Sequence, residues 1–133
     1  MTDTANQAAL HEEAAIASMV GRFYELAFED PLLGPMFRAE IPDLEEHLGI
    51  VRDFWSHALL GTDRYKRGTP YVHHTGLSLE EAHFTRWMAA FGQAVAETLP
   101  GELADGAMKR AEHMTRSFRM GLLPLTPPAG ADA

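Results

Sequence analysis

Three kinds of polar side chain interrupt otherwise apolar stripes in this sequence. His47 falls within Leu44, His47, Leu48, Val51, Phe54, Trp55, Ala58 and Leu59, whose steps of three and four residues place them on one helix face. Tyr24 borders an earlier stripe, four residues after Val20. His73 and His74 follow in a segment without periodicity. A neutral imidazole is a metal ligand and a phenol is a hydrogen-bond donor on an apolar body. A lone histidine on an apolar face is more often a core residue with one satisfied hydrogen bond, and a lone tyrosine is more often structural. Their conjunction around one dry interior suits a bound cofactor better than a plain core.

These residues must be positioned by helices. From about His11 to Glu29 the apolar positions are Ile16, Met19, Val20, Phe23, Leu26 and Ala27, a helical stripe. Asp30-Pro31 reads as a restart, with Asp as N-cap and Pro at the first helical position, and Gly34-Pro35 is expected to end that short turn. Asp43 caps the next helix with Glu46 three residues on, and Gly61 stops it. Gly61 to Leu77 shows no periodicity, and an aperiodic stretch of ~15 residues in a compact domain is usually functional. Ser78 to Glu81 reads as a capping box for a helix with Phe84, Trp87, Met88, Phe91, Val95 and Leu99 on one face. A last helix, from about Glu102 to Leu123, turns Leu103, Met108, Ala111, Met114, Phe118 and Leu122 inward. The sequence thus predicts an all-α domain over 11–123, with four main helices, a flexible polar terminus at 1–10 and a disordered tail at 124–133 rich in Pro, Ala and Gly.

Composition narrows the functional classes. A chain of 133 residues is one domain. Such a chain buries roughly two-thirds of its unfolded surface. The net charge of -8 and the lack of a basic stripe argue against nucleic acid and against an anionic membrane surface. Cysteine is absent, so disulfides and thiolate ligation are excluded. No apolar run approaches the ~18 residues of a membrane span, and no signal-peptide pattern opens the chain. A cytoplasmic location is the expectation.

The chemistry that these residues suit best is that of a haem site. It needs a flat apolar slot, one axial nitrogen ligand and controlled polarity on the opposite face. Phe37, Val51, Phe54, Trp55, Phe84, Trp87 and Phe91 are large and flat or branched, as slot walls must be. Either His73 or His74, free of helix packing, suits the axial role. Tyr24, His47 and the Trp87 indole each carry a polar tip that can face a bound diatomic molecule. Arg64, Lys66 and Arg67 are candidates to pair with the cofactor's carboxylates, a solvated charge cluster being the plain alternative.

The chain resembles a truncated haemoglobin of the group III type over about residues 14–123. The resemblance is carried by Phe23-Tyr24-Glu25, Leu33-Gly34-Pro35-Met36-Phe37, His47, Phe54-Trp55, Leu59-Leu60-Gly61, Tyr65, Pro70, His74, Leu77 and His83-Phe84-x-x-Trp87. It implies a truncated globin fold, a two-over-two helical sandwich, holding haem b and its iron. The family places the proximal ligand three residues before the matching Leu and thirteen before the matching Trp, which selects His74 over His73. The resemblance makes Tyr24, His47 and Trp87 the distal, ligand-stabilising residues. Phe37 then packs on the haem, and Tyr65 becomes a candidate for its propionates. The family often has Leu-Pro where this chain has Leu77-Ser78. His83 is expected at the surface or in a helix contact, and His11, His57 and His113 show no partner pattern.

Three functions follow from this reading. The first is reversible binding of oxygen, carbon monoxide or nitric oxide at a His74-ligated iron. The second is a haem redox enzyme for nitric oxide dioxygenation or for peroxide or nitrite reduction. It needs an external reductase, because the chain has no flavin or dinucleotide fingerprint. The third is a helical module without haem, with a non-haem metal on His47, His73, His74 and Glu46, whose spacing fits poorly with di-iron bundles.

Overall fold

The computed structural model describes residues 2–68 and 79–122. Their order is α1 (Thr2–Glu29), α2 (Leu33–Glu40), α3 (Leu44–Leu60), α4 (Glu81–Thr98) and α5 (Gly101–Leu122), with no strand among the described residues. The tail after Leu122 lies outside them. No helix among the described residues is long and apolar enough to cross a membrane.

The helices pack as a two-over-two sandwich, the arrangement that the resemblance implies. Helices α1 and α3 contact each other and α4 and α5 contact each other, while α1 packs across α4 and α3 across α5. Side chains that recur every three or four residues along α1 make the central contact: Ile16, Met19, Val20, Phe23, Tyr24 and Ala27 are all buried. The α1 helix starts at Thr2, earlier than the stripe itself requires, and Leu10 on this extension is 67% exposed. From α4 the core takes Phe91, Ala94, Val95 and Leu99, and from α5 it takes Ala107 and Ala111.

The helix ends follow local rules, with three departures from the sequence reading. Asp43 caps α3 by accepting from the Glu46 N–H at 3.1 Å, and Gly61 ends α3 with a left-handed φ of 74°. Asp30 accepts from the Leu32 and Leu33 N–H groups at 2.8 and 2.9 Å, but α2 is capped by Leu32 and begins at Leu33, so Asp30 and Pro31 form the turn before the helix and not its N-cap and first residue. Gly34-Pro35 does not end the turn that follows; both residues lie inside the first turn of α2, where a proline lacks no needed donor. The cap of α4 is Glu80, not Ser78, which lies outside the described residues. Glu80 and His83 form a reciprocal box in which His83 Nδ1 accepts from the Glu80 N–H at 2.9 Å.

A buried hydroxyl ties the end of α3 to α1. Ser56 has no solvent exposure, and its Oγ donates to Glu13 at 2.8 Å. It accepts from Thr62 at 2.8 Å and from Arg64 at 2.9 Å. Arg64 also donates to Glu13 and Asp53. The buried Ser56 hydroxyl is thus fully engaged, as a buried polar group requires, while Arg64 and Asp53 extend the network to the surface. Burial alone would raise the Glu13 pKa. Hydrogen bonds from Arg64 and Ser56, with the Arg64 charge, more than offset this, and the net direction is down.

Two predictions follow from this packing. A Cβ at Gly34 would collide with the Phe28 carbonyl, so Gly34→Ala should lower stability by about 1–3 kcal/mol in denaturant unfolding. Glu13 has a depressed folded-state pKa, so its stabilisation is present above the unfolded value and fades as pH falls through the folded one. The stability gap between the native chain and Glu13→Gln should therefore be full at neutral pH and should close on acidification below the ordinary carboxylate range. A pH-independent gap would show that the Glu13 charge contributes nothing.

Candidate functional site

The sandwich leaves a cavity of about 440 Å³ bounded by all five helices. Residues singled out by the sequence meet there: Tyr24, Phe37, His47, Val51, Phe54, Trp55, Tyr65, Phe84, Trp87 and Phe91 all line it. His74 and Leu77, together with His73, lie outside the described residues.

Flat rings form much of the wall. Phe91 lies between two indoles: its ring is 5.1 Å from Trp87 at 6° and 4.9 Å from Trp55 at 26°. Phe23 meets both Trp87 and Phe91 edge-on, at 5.3 and 5.9 Å. Phe54 packs edge-on against Trp55 and Tyr65, each at 5.2 Å. The geometry is that of offset and T-shaped aromatic pairs, which resist the rotamer changes that would close the space.

One polar pair faces this wall. Tyr24 on α1 and His47 on α3 approach to 2.8 Å between Oη and Nε2, with rings 5.3 Å apart and nearly perpendicular. The two helices cross, so residues 23 apart in the chain become hydrogen-bond partners. Tyr24 is buried, and burial pushes its phenol pKa up, so the hydroxyl keeps its proton across the physiological range. Phe37 stands 5.7 Å from the Tyr24 ring and holds it from the α2 side. Among the described residues no three His, Asp or Glu side chains converge on a metal-binding group.

The basic residues of the aperiodic segment part company. Arg64 turns to Glu13, Asp53 and Ser56 and does not line the cavity, so it is not placed to pair with a cofactor carboxylate. Arg67 does line it, and so does Tyr65. Burial raises the Tyr65 pKa, against a smaller opposing effect of the Arg67 charge. His57, for which the sequence showed no partner, has Nδ1 2.6 Å from the Thr62 carbonyl oxygen.

Sequence reasoning missed further parts of the lining. Leu33, Met36 and Glu40 come from α2, and Met114, Thr115 and Phe118 from α5. His83 also lines the cavity, half-buried, where a surface or helix-contact position was expected. A signal was present: His83, Trp87 and Phe91 follow each other at four-residue steps on one face of α4.

Comparison with known proteins agrees with this geometry. The sequence profile of the bacterial-like globins matches residues 8–120. A group 3 truncated haemoglobin of Campylobacter jejuni is 27% identical over 112 residues, covering 80% of this chain and 87% of that protein. The crystal structure of a group III truncated haemoglobin from Campylobacter jejuni superposes with a TM-score of 0.79 at 26% identity, over 87% of this chain and 94% of the other. The profile reaches every helix that lines the cavity, the fold matches a group III structure, and the chain accordingly belongs to the bacterial-like globin family.

Proposed function

We propose that this chain binds haem in the cavity and uses it for reversible binding of a diatomic gas. The observation that carries this reading is the Tyr24–His47 hydrogen bond at 2.8 Å inside a slot walled by aromatic rings. A plain core has no use for two coupled polar groups beside an empty volume, whereas a ligand pocket does. The described lining suits a haem in its chemistry. The walls are flat and apolar, and about 440 Å³ falls in the ~300–1,000 Å³ range of cofactor pockets. Its few polar groups are donors or sit toward the exposed edge.

When bound, haem supplies an iron position at which oxygen, carbon monoxide or nitric oxide coordinates. His74 is the residue we assign to hold that iron, by its spacing to Leu77 and Trp87 in the resemblance. The rest belongs to the chain's own side chains. Phe23, Phe91 and the two indoles exclude water, which strengthens every hydrogen bond made inside. Tyr24, kept protonated by burial, offers its hydroxyl to a polarised ligand. His47 orients that hydroxyl and carries a second donor or acceptor, according to its tautomer. Trp87, rigid in its stack on Phe91, is assigned as the third polar tip of the pocket.

Absorption spectra of the haem-reconstituted protein test the reading. The ferrous form should show a Soret band that shifts with carbon monoxide, and His74→Ala should weaken haem retention or change the ligation. Failure of the native chain to take up haem would overturn it. Tyr24→Phe removes one buried donor, worth about 1–1.5 kcal/mol, so oxygen should dissociate roughly ten-fold faster. An unchanged rate would remove Tyr24 from the pocket's chemistry.

A further inference from the structure

We propose that His83 is a cofactor-binding residue whose Nε2–H hydrogen-bonds a carboxylate of the bound haem, with its donor fixed by the cap of its own helix. The inference rests on the haem reading above. It starts from a proton count. The Glu80 N–H can only donate, so the His83 Nδ1 that receives it at 2.9 Å must be unprotonated. A neutral imidazole with a bare Nδ1 carries its proton on Nε2. The cap therefore makes Nε2 a donor and disqualifies it as an axial iron ligand, which must offer a lone pair.

The lining leaves few other partners for carboxylates. Tyr24 and His47 are hydrogen-bonded to each other. Glu40 carries the wrong charge, and the Thr115 hydroxyl already donates to the Glu112 carbonyl at 3.1 Å. Arg64, beside Tyr65 in sequence, is held by Glu13 and Asp53. Besides the Trp55 and Trp87 indoles, which stack on Phe91 within the aromatic wall, the lining residues with side-chain donors are Tyr65, Arg67 and His83. Haem is apolar except for its propionates, and these need donors at the edge of the slot. His83 differs from the other two in being held on a helix by a reciprocal cap, so its donor costs little conformational entropy to present.

The cap also permits a clean test, because Gln and Glu at this position of a capping box both accept from the N-cap N–H. His83→Gln keeps the cap and restores an N–H donor. His83→Glu keeps the cap and replaces the donor with a carboxylate. Both apoproteins should melt near the native temperature. The readout is the rate of haem loss to a scavenging acceptor protein, measured with haem and with its dimethyl ester, in which the carboxylates are masked. We expect His83→Glu to lose haem roughly ten-fold faster than native, His83→Gln to stay close to native, and the difference to vanish with the ester. Equal rates for the two variants, or an excess loss from His83→Glu that persists with the ester, would overturn the assignment while native haem uptake stands. If the native chain takes up no haem, the assignment falls together with the reading it rests on.

Discussion

The Phe91 ring is the point on which this structure turns. It is 1% exposed and contacts Trp55 from α3, Trp87 from its own helix and Phe23 from α1. Three helices are thereby set in position around one side chain. The same rings make one wall of the cavity, so the packing that closes the core on one side holds it open on the other. Truncating a fully buried Phe typically costs about 3–5 kcal/mol, and here the loss would reach core and pocket together. The cavity is therefore a product of rigid aromatic packing on α1, α3 and α4, and not a gap between loosely fitted helices.

The polar groups are arranged around that frame in two tiers. Inside, Tyr24 and His47 answer each other across the α1–α3 crossing. Below the α3 C-terminus, Ser56, Glu13, Thr62 and Arg64 bind the segment that leads to Tyr65 and Arg67 back onto α1. The second tier carries no pocket residue itself, yet Tyr65 is the next residue after Arg64. Where the segment leaves α3 determines which side chains reach the cavity's edge.

Most of the fold was legible in the sequence because it rests on local rules. The three-and-four spacing of Ile16 to Ala27 and of Phe84 to Leu99 marks two helices and their buried faces. Asp43 with Glu46, and Gly61, mark the ends of α3. Where reading failed, the missing term was tertiary. Gly34-Pro35 resembles a stop signal, but the glycine is there so that α2 can approach the Phe28 carbonyl. Arg64 resembles a free cation, and its main partner Glu13 is 51 residues away. His83 shares the four-residue steps of Trp87 and Phe91, but only the approach of the other helices turns that face into a cavity wall. The pocket's aromatic walls were legible for a different reason: a face too rich in flat rings for its helix alone needs something to cover.

The Tyr24–His47 contact has one more consequence. A hydrogen bond between two groups that can each donate or accept has a direction, and the direction can reverse without any heavy atom moving. If Nε2–H donates to the phenol oxygen, the phenol's own O–H can turn toward the cavity. If Nε2 receives, the cavity meets a lone pair instead. The two arrangements share one set of heavy-atom positions and differ in the polarity that they present. The change is carried by the imidazole's tautomer and the rotation of one hydroxyl, while the packing around them stays as it is.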